Sequence, residues 1–219
     1  MVFLDRFDAG RVLAAKVWNF ANRTDTVVLA LPRGGVPVGF EVAEALNAPL
    51  DVFVVRKLGV PGYAELAMGA IASGGVRVLN ENVVQNLGIP DEVVNRVAAK
   101  EERELERRER EYRDGRPPVE VQGRTVILVD DGLATGSSMR VAVRALKRKR
   151  PAQIVVAVPV GDPAACAELE PEVDQVICAV MPKAFRSVSQ WYDDFAQTTD
   201  EVVRDLLSRT ASLRTPTAV

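Results

Sequence analysis

Two adjacent carboxylates, Asp130 and Asp131, close the apolar run Val126-Ile127-Leu128-Val129 and lead into Gly132-Leu133-Ala134-Thr135-Gly136-Ser137-Ser138. Carboxylates accept hydrogen bonds and repel phosphate. Such a pair suits sugar hydroxyls, which donate, or a hydrated divalent cation. The loop after them has the opposite character. Thr135, Ser137 and Ser138 offer hydroxyl donors, and Gly136 lets the backbone approach a phosphate closely. A helix opening there would turn its first N–H groups toward an anion. Acceptors beside an anion cradle spell a phosphorylated sugar rather than a bare phosphate. The P-loop pattern requires a Lys after its second Gly, where Ser137 stands, and the dinucleotide pattern requires three spaced glycines. The plain structural alternative is a strand end followed by a capped helix.

Two basic segments precede this stretch. In Leu31-Pro32-Arg33-Gly34-Gly35-Val36-Pro37, an Arg and two glycines can present a guanidinium and open N–H groups to a diphosphate. The alternative is a turn with an exposed arginine. Val54-Val55-Arg56-Lys57 ends an apolar run with two cations, whose plain reading is solvated charge. Near the C-terminus, Phe185 and then Ser189-Gln190-Trp191-Tyr192-Asp193-Asp194-Phe195 gather aromatics and acids. Phe185, Trp191 and Tyr192 could stack on a planar base while Asp193 meets its edge. Such a cluster equally caps a core, and both readings stay open. Histidine is absent, which excludes imidazole-based triads, Cys-His pairs and His-ligated zinc.

These residues need elements to hold them. Short apolar runs rich in Val, Ile and Leu fall at 26–31, 50–55, 125–129, 153–158 and 173–180, as in strands buried on both faces of a parallel sheet. Helical rhythm appears at 7–22, 36–46 and 136–149. The alternation predicts an α/β fold, an open and mostly parallel sheet flanked by helices. The acid pair and the two basic segments all follow strands, where such sheets take ligands. Residues 58–70, with Gly59, Pro61, Gly62 and Gly69, read as a loop or lid in which Tyr63 and Glu65 are the only candidate groups. Residues 91–114 predict a long charged helix started at Pro90, with Glu104–Arg108, Glu106–Arg110 and Glu109–Arg113 pairs four apart. Its thin apolar seam suggests a solvated helix packed by one edge, with a subunit contact or lid support as alternatives. A last helix is expected at 200–209, followed by a flexible tail over 211–219.

At 219 residues the chain fits one domain, read as 1–210, with 91–114 as a charged helical insertion and 160–196 as a hood. Apolar residues at 47% and charged residues at 26% describe a folded globular protein, and a net charge of -2 argues against nucleic acid as a partner. Cys166 and Cys178 lack metal-ligand spacing and lie in apolar stretches, as buried thiols do. The N-terminus lacks a signal pattern, and no apolar run approaches the roughly 20 residues a bilayer requires. The expectation is a cytoplasmic protein without a membrane partner.

The stretch 126–138 resembles the phosphoribosyl-diphosphate-binding signature of type I phosphoribosyltransferases: four apolar residues, two acids, two variable positions, then a Thr-Gly-x-Ser/Thr loop. Gly132 departs from the aliphatic residue more usual there; Leu133 is the second variable position. The resemblance implies that Asp130 and Asp131 contact the ribose hydroxyls and that 134–138 cradles the 5-phosphate. It implies a diphosphate turn at Arg33, Gly34 and Gly35, often with a strained peptide bond, and a basic residue after the second strand, Lys57 first and Arg56 second. It further implies a lid at 58–70, which here lacks the basic residues some members use. Mg²⁺ would be held mainly through substrate, with Asp130 and Asp131 as candidate ligands, and the protein would be a homodimer. The run from Trp191 to Gln197 is similar to one marking an uncharacterised group in this family. Purine-type members carry a Lys after the strand beyond the phosphate loop, where this chain has Pro159-Val160-Gly161-Asp162. The implied reaction is displacement of diphosphate from phosphoribosyl diphosphate by a nitrogen nucleophile on an unidentified acceptor, such as a nucleobase. The competing readings are a non-catalytic regulatory protein that binds phosphoribosyl diphosphate and, more weakly, a hydrolase of phosphorylated ribose.

Overall fold

A computed structural model of the chain describes residues 2–211, excepting the side chains of residues 64 and 65. The expected tail therefore lies outside the described residues from 212 onward, as does the Glu65 side chain. In chain order the elements are α1 (Arg6–Lys16), β1 (Thr26–Ala30), α2 (Gly35–Leu46), β2 (Leu50–Val52), β3 (Val55–Val60), β4 (Tyr63–Ala72), β5 (Val76–Leu79), α3 (Glu81–Asn86), α4 (Asp91–Arg113), β6 (Thr125–Val129), α5 (Ser137–Arg148), α6 (Pro163–Leu169) after β7 (Gln153–Val160), β8 (Gln175–Val180) and α7 (Asp200–Arg209).

All five apolar runs enter one parallel sheet in the order β2-β1-β6-β7-β8. Alternate side chains of β1 explain why residues 27–30 are apolar throughout. Val28 and Ala30 face one core with Leu13 of α1, Val38 of α2 and Val203 of α7. Val27 and Leu29 face the other core with Met139 and Ala142 of α5 and Leu169 of α6. Helices thus cover both faces, which is what a parallel sheet with crossover connections requires. Among the described residues no helix is long and apolar enough to cross a membrane.

A second sheet corrects the loop expectation for 58–70. Strands β3, β4 and β5 form an antiparallel flap. The glycines that suggested a loop serve this hairpin. Pro61-Gly62 makes the tight turn between Val60 and Tyr63, with Gly62 at φ 81°. Gly69 lies so close to β5 that a Cβ there would fall 2.5 Å from the Val78 carbonyl oxygen. The flap leans on the charged helix: Arg56 and Arg77 pair with Glu101 and Glu102 of α4. Arg113, near the end of α4, is buried against Asp51 of β2 at 3.0 Å, which anchors the helix to the main sheet. The long helix is a solvated brace packed by one edge, and Val94, Ala98, Leu105 and Tyr112 form its buried seam.

Candidate active site

Strands β1 and β6 pair in parallel with Ala30 opposite Val129, so the segments that follow them leave the sheet at the same edge. The chain places β2 on one side of β1 and β6 on the other. The gap between β1 and β6 is therefore the topological switch point, the crevice in which open α/β sheets bind ligands.

There the Arg-Gly-Gly turn and the acid pair touch. A Cβ on Gly34 would fall 2.0 Å from Asp131 Oδ2, and one on Gly35 would fall 2.9 Å from Asp130 Cα. Close approach of the acids, rather than backbone freedom, dictates both glycines. The Leu31 N–H donates to Val129 O at 2.8 Å and the Gly35 N–H to Leu31 O at 3.0 Å, which ties the turn to the end of β6. The Pro32–Arg33 peptide is cis. Arg33 Nη1 stands 3.8 Å from Asp200 Oδ1 at the start of α7, and the Tyr112 hydroxyl donates to that same oxygen at 2.7 Å.

The acids are electrostatically loaded. Burial, and next the charge of Asp131, push the Asp130 carboxyl well above the usual carboxylate range. Burial also raises Asp131, while the Arg6 guanidinium beside it works in the opposite direction. Asp130 Oδ1 accepts from the Asp131 N–H at 2.9 Å, and Asp131 Oδ2 accepts from Arg6 Nε at 2.8 Å. Poorly hydrated carboxylates gain most from added donors, and neighbouring sugar hydroxyls are such donors.

The loop beyond is pinned and then opens. Gly132 leaves room for Val188 of the hood, because a Cβ there would fall 2.5 Å from the Val188 side chain. The Leu133 N–H donates to Val160 O at 2.9 Å, and Leu133 O accepts from the Asp162 N–H at 2.8 Å. Its side chain is buried in the core, and its N–H and C=O are both engaged by Val160 and Asp162. Ala134, Thr135, Ser137 and Ser138 are exposed. Gly136 takes φ 67° and stands as N-cap of α5 with no side-chain cap, which leaves the first turn able to receive an anion.

Lys57 and Arg56 do not end the second strand as expected. They sit in β3, after a break in the chain's course through the main sheet. Arg56 Nε donates to Glu101 at 2.7 Å, which commits it to α4. Lys57 is exposed and lines a cavity of about 710 Å³ between the flap and α5, together with Ser137 and Ser138. Neither aspartate lines that cavity. The site is therefore located by the contacts of the acid pair rather than by that hollow. Tyr63 is exposed beside the hairpin turn.

The aromatic cluster at 185–195 packs as a small core. Tyr192 is 6% exposed, its ring 5.5 Å from Phe3 and 5.0 Å from Phe195 by centroids. Its hydroxyl donates to the carbonyl of Asp131. A ring so enclosed cannot stack on a base, which corrects that expectation for Tyr192. Phe185 and Trp191 are half-buried against the same small core, and Asp193 is exposed. Residues 3 and 4 zip along this segment: the Phe3 N–H donates to Trp191 O, and the Asp193 and Asp194 N–H groups donate to Phe3 O and Leu4 O, each at 2.8 Å. Tyr192→Phe is expected to lower stability by about 1 kcal/mol, because it leaves one carbonyl short of a donor, and to keep turnover within about threefold. Denaturant unfolding and a turnover assay check it; a loss of turnover without loss of stability would return the ring to the substrate.

Arg6 is the site residue that sequence reasoning missed. Its only local signal is a cation in the first turn of a helix, where the dipole favours acids.

The phosphoribosyl transferase domain family matches residues 4–194. Rv0571c of Mycobacterium tuberculosis (strain ATCC 25618 / H37Rv), a provisionally named phosphoribosyl transferase, is 44% identical over 208 residues, which are 95% of this chain and 47% of that protein. The chain thus spans about half the length of the curated relatives it matches. The crystal structure of TT1426 from Thermus thermophilus superposes with a TM-score of 0.83 at 40% identity, covering 96% of this chain and 100% of that one. A hypothetical protein from Neisseria gonorrhoeae, solved with bound ppGpp, shares the fold alone: TM-score 0.50, 13% identity, 95% of this chain and 98% of that one.

Proposed function

The chain belongs to the phosphoribosyl transferase family and has its type I fold, and from that premise we propose that it transfers the phosphoribosyl group of phosphoribosyl diphosphate to a nitrogen nucleophile on a nucleobase or similar heterocycle. The observation that carries this reading is the contact between the acid pair and the Arg33-Gly34-Gly35 turn at the crevice between β1 and β6.

In this reading Asp130 and Asp131 accept the ribose hydroxyls, and 134–138 receives the 5-phosphate through backbone N–H groups and the hydroxyls of Thr135, Ser137 and Ser138. The new bond joins the acceptor nitrogen to C1, the bond from C1 to the diphosphate oxygen breaks, its electron pair leaves on the diphosphate, and a proton carried by that nitrogen passes to water. Positive charge builds on the ring near the two acids, while negative charge builds near Arg33 and Lys57. Catalysis is then positioning and electrostatic stabilisation, with no side-chain nucleophile. Mg²⁺ would neutralise the diphosphate. The donor set fits it: Asp130 and Asp131 offer hard carboxylate oxygens at the end of β6, which would complete a shell made mainly of substrate oxygens and water. A homodimer and a cytoplasmic setting belong to the same proposal.

Melting with phosphoribosyl diphosphate and Mg²⁺ tests the first step. At 100 times its dissociation constant the ligand adds about 2.7 kcal/mol to folding stability. Diphosphate release across purines, pyrimidines and pyridine carboxylates tests the second. No thermal shift overturns the reading. A shift without release from any acceptor favours the regulatory alternative, and release with water alone favours hydrolysis.

A further inference from the structure

Arg6 opens α1, yet α1 does not need it. The helix is capped by Asp5, whose side chain accepts from the Asp8 N–H, and a cation in the first turn opposes the helix dipole. The partners of Arg6 all lie far along the chain. Nε donates to Asp131 Oδ2 at 2.8 Å and Nη1 donates to the Ala196 carbonyl at 2.7 Å. The guanidinium carbon sits 3.9 Å from the centre of the Phe195 ring. The Arg6 and Asp131 side chains are only 11% and 16% exposed. The diphosphate turn closes the cluster, because a Cβ on Gly34 would lie 3.2 Å from Arg6 Nε as well as against Asp131.

A surface ion pair would neutralise the acid without fixing its direction, since exposed pairs hold weakly. This one is different in kind. A planar fork seated on an aromatic face has its orientation set before it meets the carboxylate. A carboxylate held at one oxygen loses the freedom to rotate, and its other oxygen is then presented in a fixed direction. The second end of the fork, on Ala196, ties the hood to the same point.

We propose that Arg6 is a positioning residue of the phosphoribosyl site: it holds Asp131 Oδ2 so that Oδ1 faces the ribose, and it fastens the hood beside the acid loop. This inference rests on the reading of the acid pair as ribose-binding. It assigns the first helix, which carries no part of the phosphate or diphosphate loops, a share in substrate affinity.

The experiment is a double-mutant cycle read by the KM for phosphoribosyl diphosphate, with kcat and melting temperature followed in parallel. Arg6→Gln is expected to raise that KM by about 10–100-fold, the scale for a hydrogen bond to a charged group, with a much smaller change in kcat. Arg6→Lys should fall between, because an ammonium keeps the charge and loses the planar two-ended grip. In an Asp131→Ala background Arg6→Gln should change the KM by less than about twofold, since Arg6 acts through Asp131. A residue that served only the fold would lower the melting temperature and add its full effect in either background. If Arg6→Gln does not fold, Arg6→Lys and its combination with Asp131→Ala carry the comparison. An unchanged KM in the Arg6 variants, or full additivity with Asp131→Ala, overturns the inference. Failure of the wild-type chain to bind phosphoribosyl diphosphate overturns the ribose reading, and this inference with it, before any variant is compared.

Discussion

Asp130→Asn is expected to slow phosphoribosyl transfer by about 10²–10³, the scale for one lost preorganised electrostatic group, and at the same time to make the protein more stable near neutral pH. The two effects share a cause. Burial and the Asp131 charge hold the Asp130 carboxyl well above its ordinary range, so the folded state keeps that proton more tightly than the unfolded chain does. A group raised in this way contributes its full stability below the ordinary carboxylate value of about 3.9, and the contribution drains away as pH rises toward the raised value. Asn keeps a carbonyl oxygen for the Asp131 N–H, which Asp130 Oδ1 now receives at 2.9 Å. It carries no charge to desolvate and does not repel Asp131. Thermal melts from about pH 4 to about pH 8 should therefore decline for the wild-type protein and run flatter for the variant. A variant that melts below the wild-type protein at the upper end, or that retains wild-type turnover, would contradict this account. Such a trade of stability against activity is expected where a site stores unfavourable charge for its ligand.

Gly34→Ala should abolish measurable binding of phosphoribosyl diphosphate, a loss of more than about 10², and should destabilise the fold by about 1–3 kcal/mol. The added methyl would fall 2.0 Å from Asp131 Oδ2 and 2.7 Å from its Cγ. Asp131 cannot swing aside cheaply, because Arg6 holds its carboxylate and the Tyr192 hydroxyl holds its carbonyl. Either the turn lifts off the end of β6, which spoils the proposed diphosphate contact, or the acid leaves Arg6, which spoils the proposed ribose contact. Titration calorimetry with denaturant unfolding separates the two parts of the prediction. Near-normal affinity in this variant would mean that the turn and the acids do not serve one ligand.

How far the sequence reveals the site depends on how local each signal is. Strand β6 is legible to the residue because Thr125–Val129 is buried on both faces and ends abruptly in charge. Helix α7 is equally legible, since Thr199 caps it and acids fill its first turn. The flap is not. Gly59, Pro61, Gly62 and Gly69 carry the composition of a loop, and only pairing with distant strands turns them into a hairpin and a close crossing. Lys57 and Arg56 are misplaced for the same reason: the apolar run that leads up to them breaks after Val52 and resumes in another sheet. Tyr192 reads equally as a stacking ring or a core ring until Phe3 is found against it. The partners of Arg6 lie beyond local reading, because they are 125 and 190 positions away. What composition and spacing convey is the chemistry of the ends of β1 and β6; what they withhold is every contact made by closing the chain on itself.

That closure has a consequence for the order of events during synthesis. Phe3 and Arg6 leave the ribosome long before their partners Trp191, Tyr192 and Ala196. Pairing across so long a loop comes late, because its entropy is repaid only by contacts that do not yet exist. A nascent chain halted before residue 190 would thus own both turns of the proposed site and still present a loosely held acid, so the proposed affinity for phosphoribosyl diphosphate should appear abruptly with the residues that follow rather than grow with chain length.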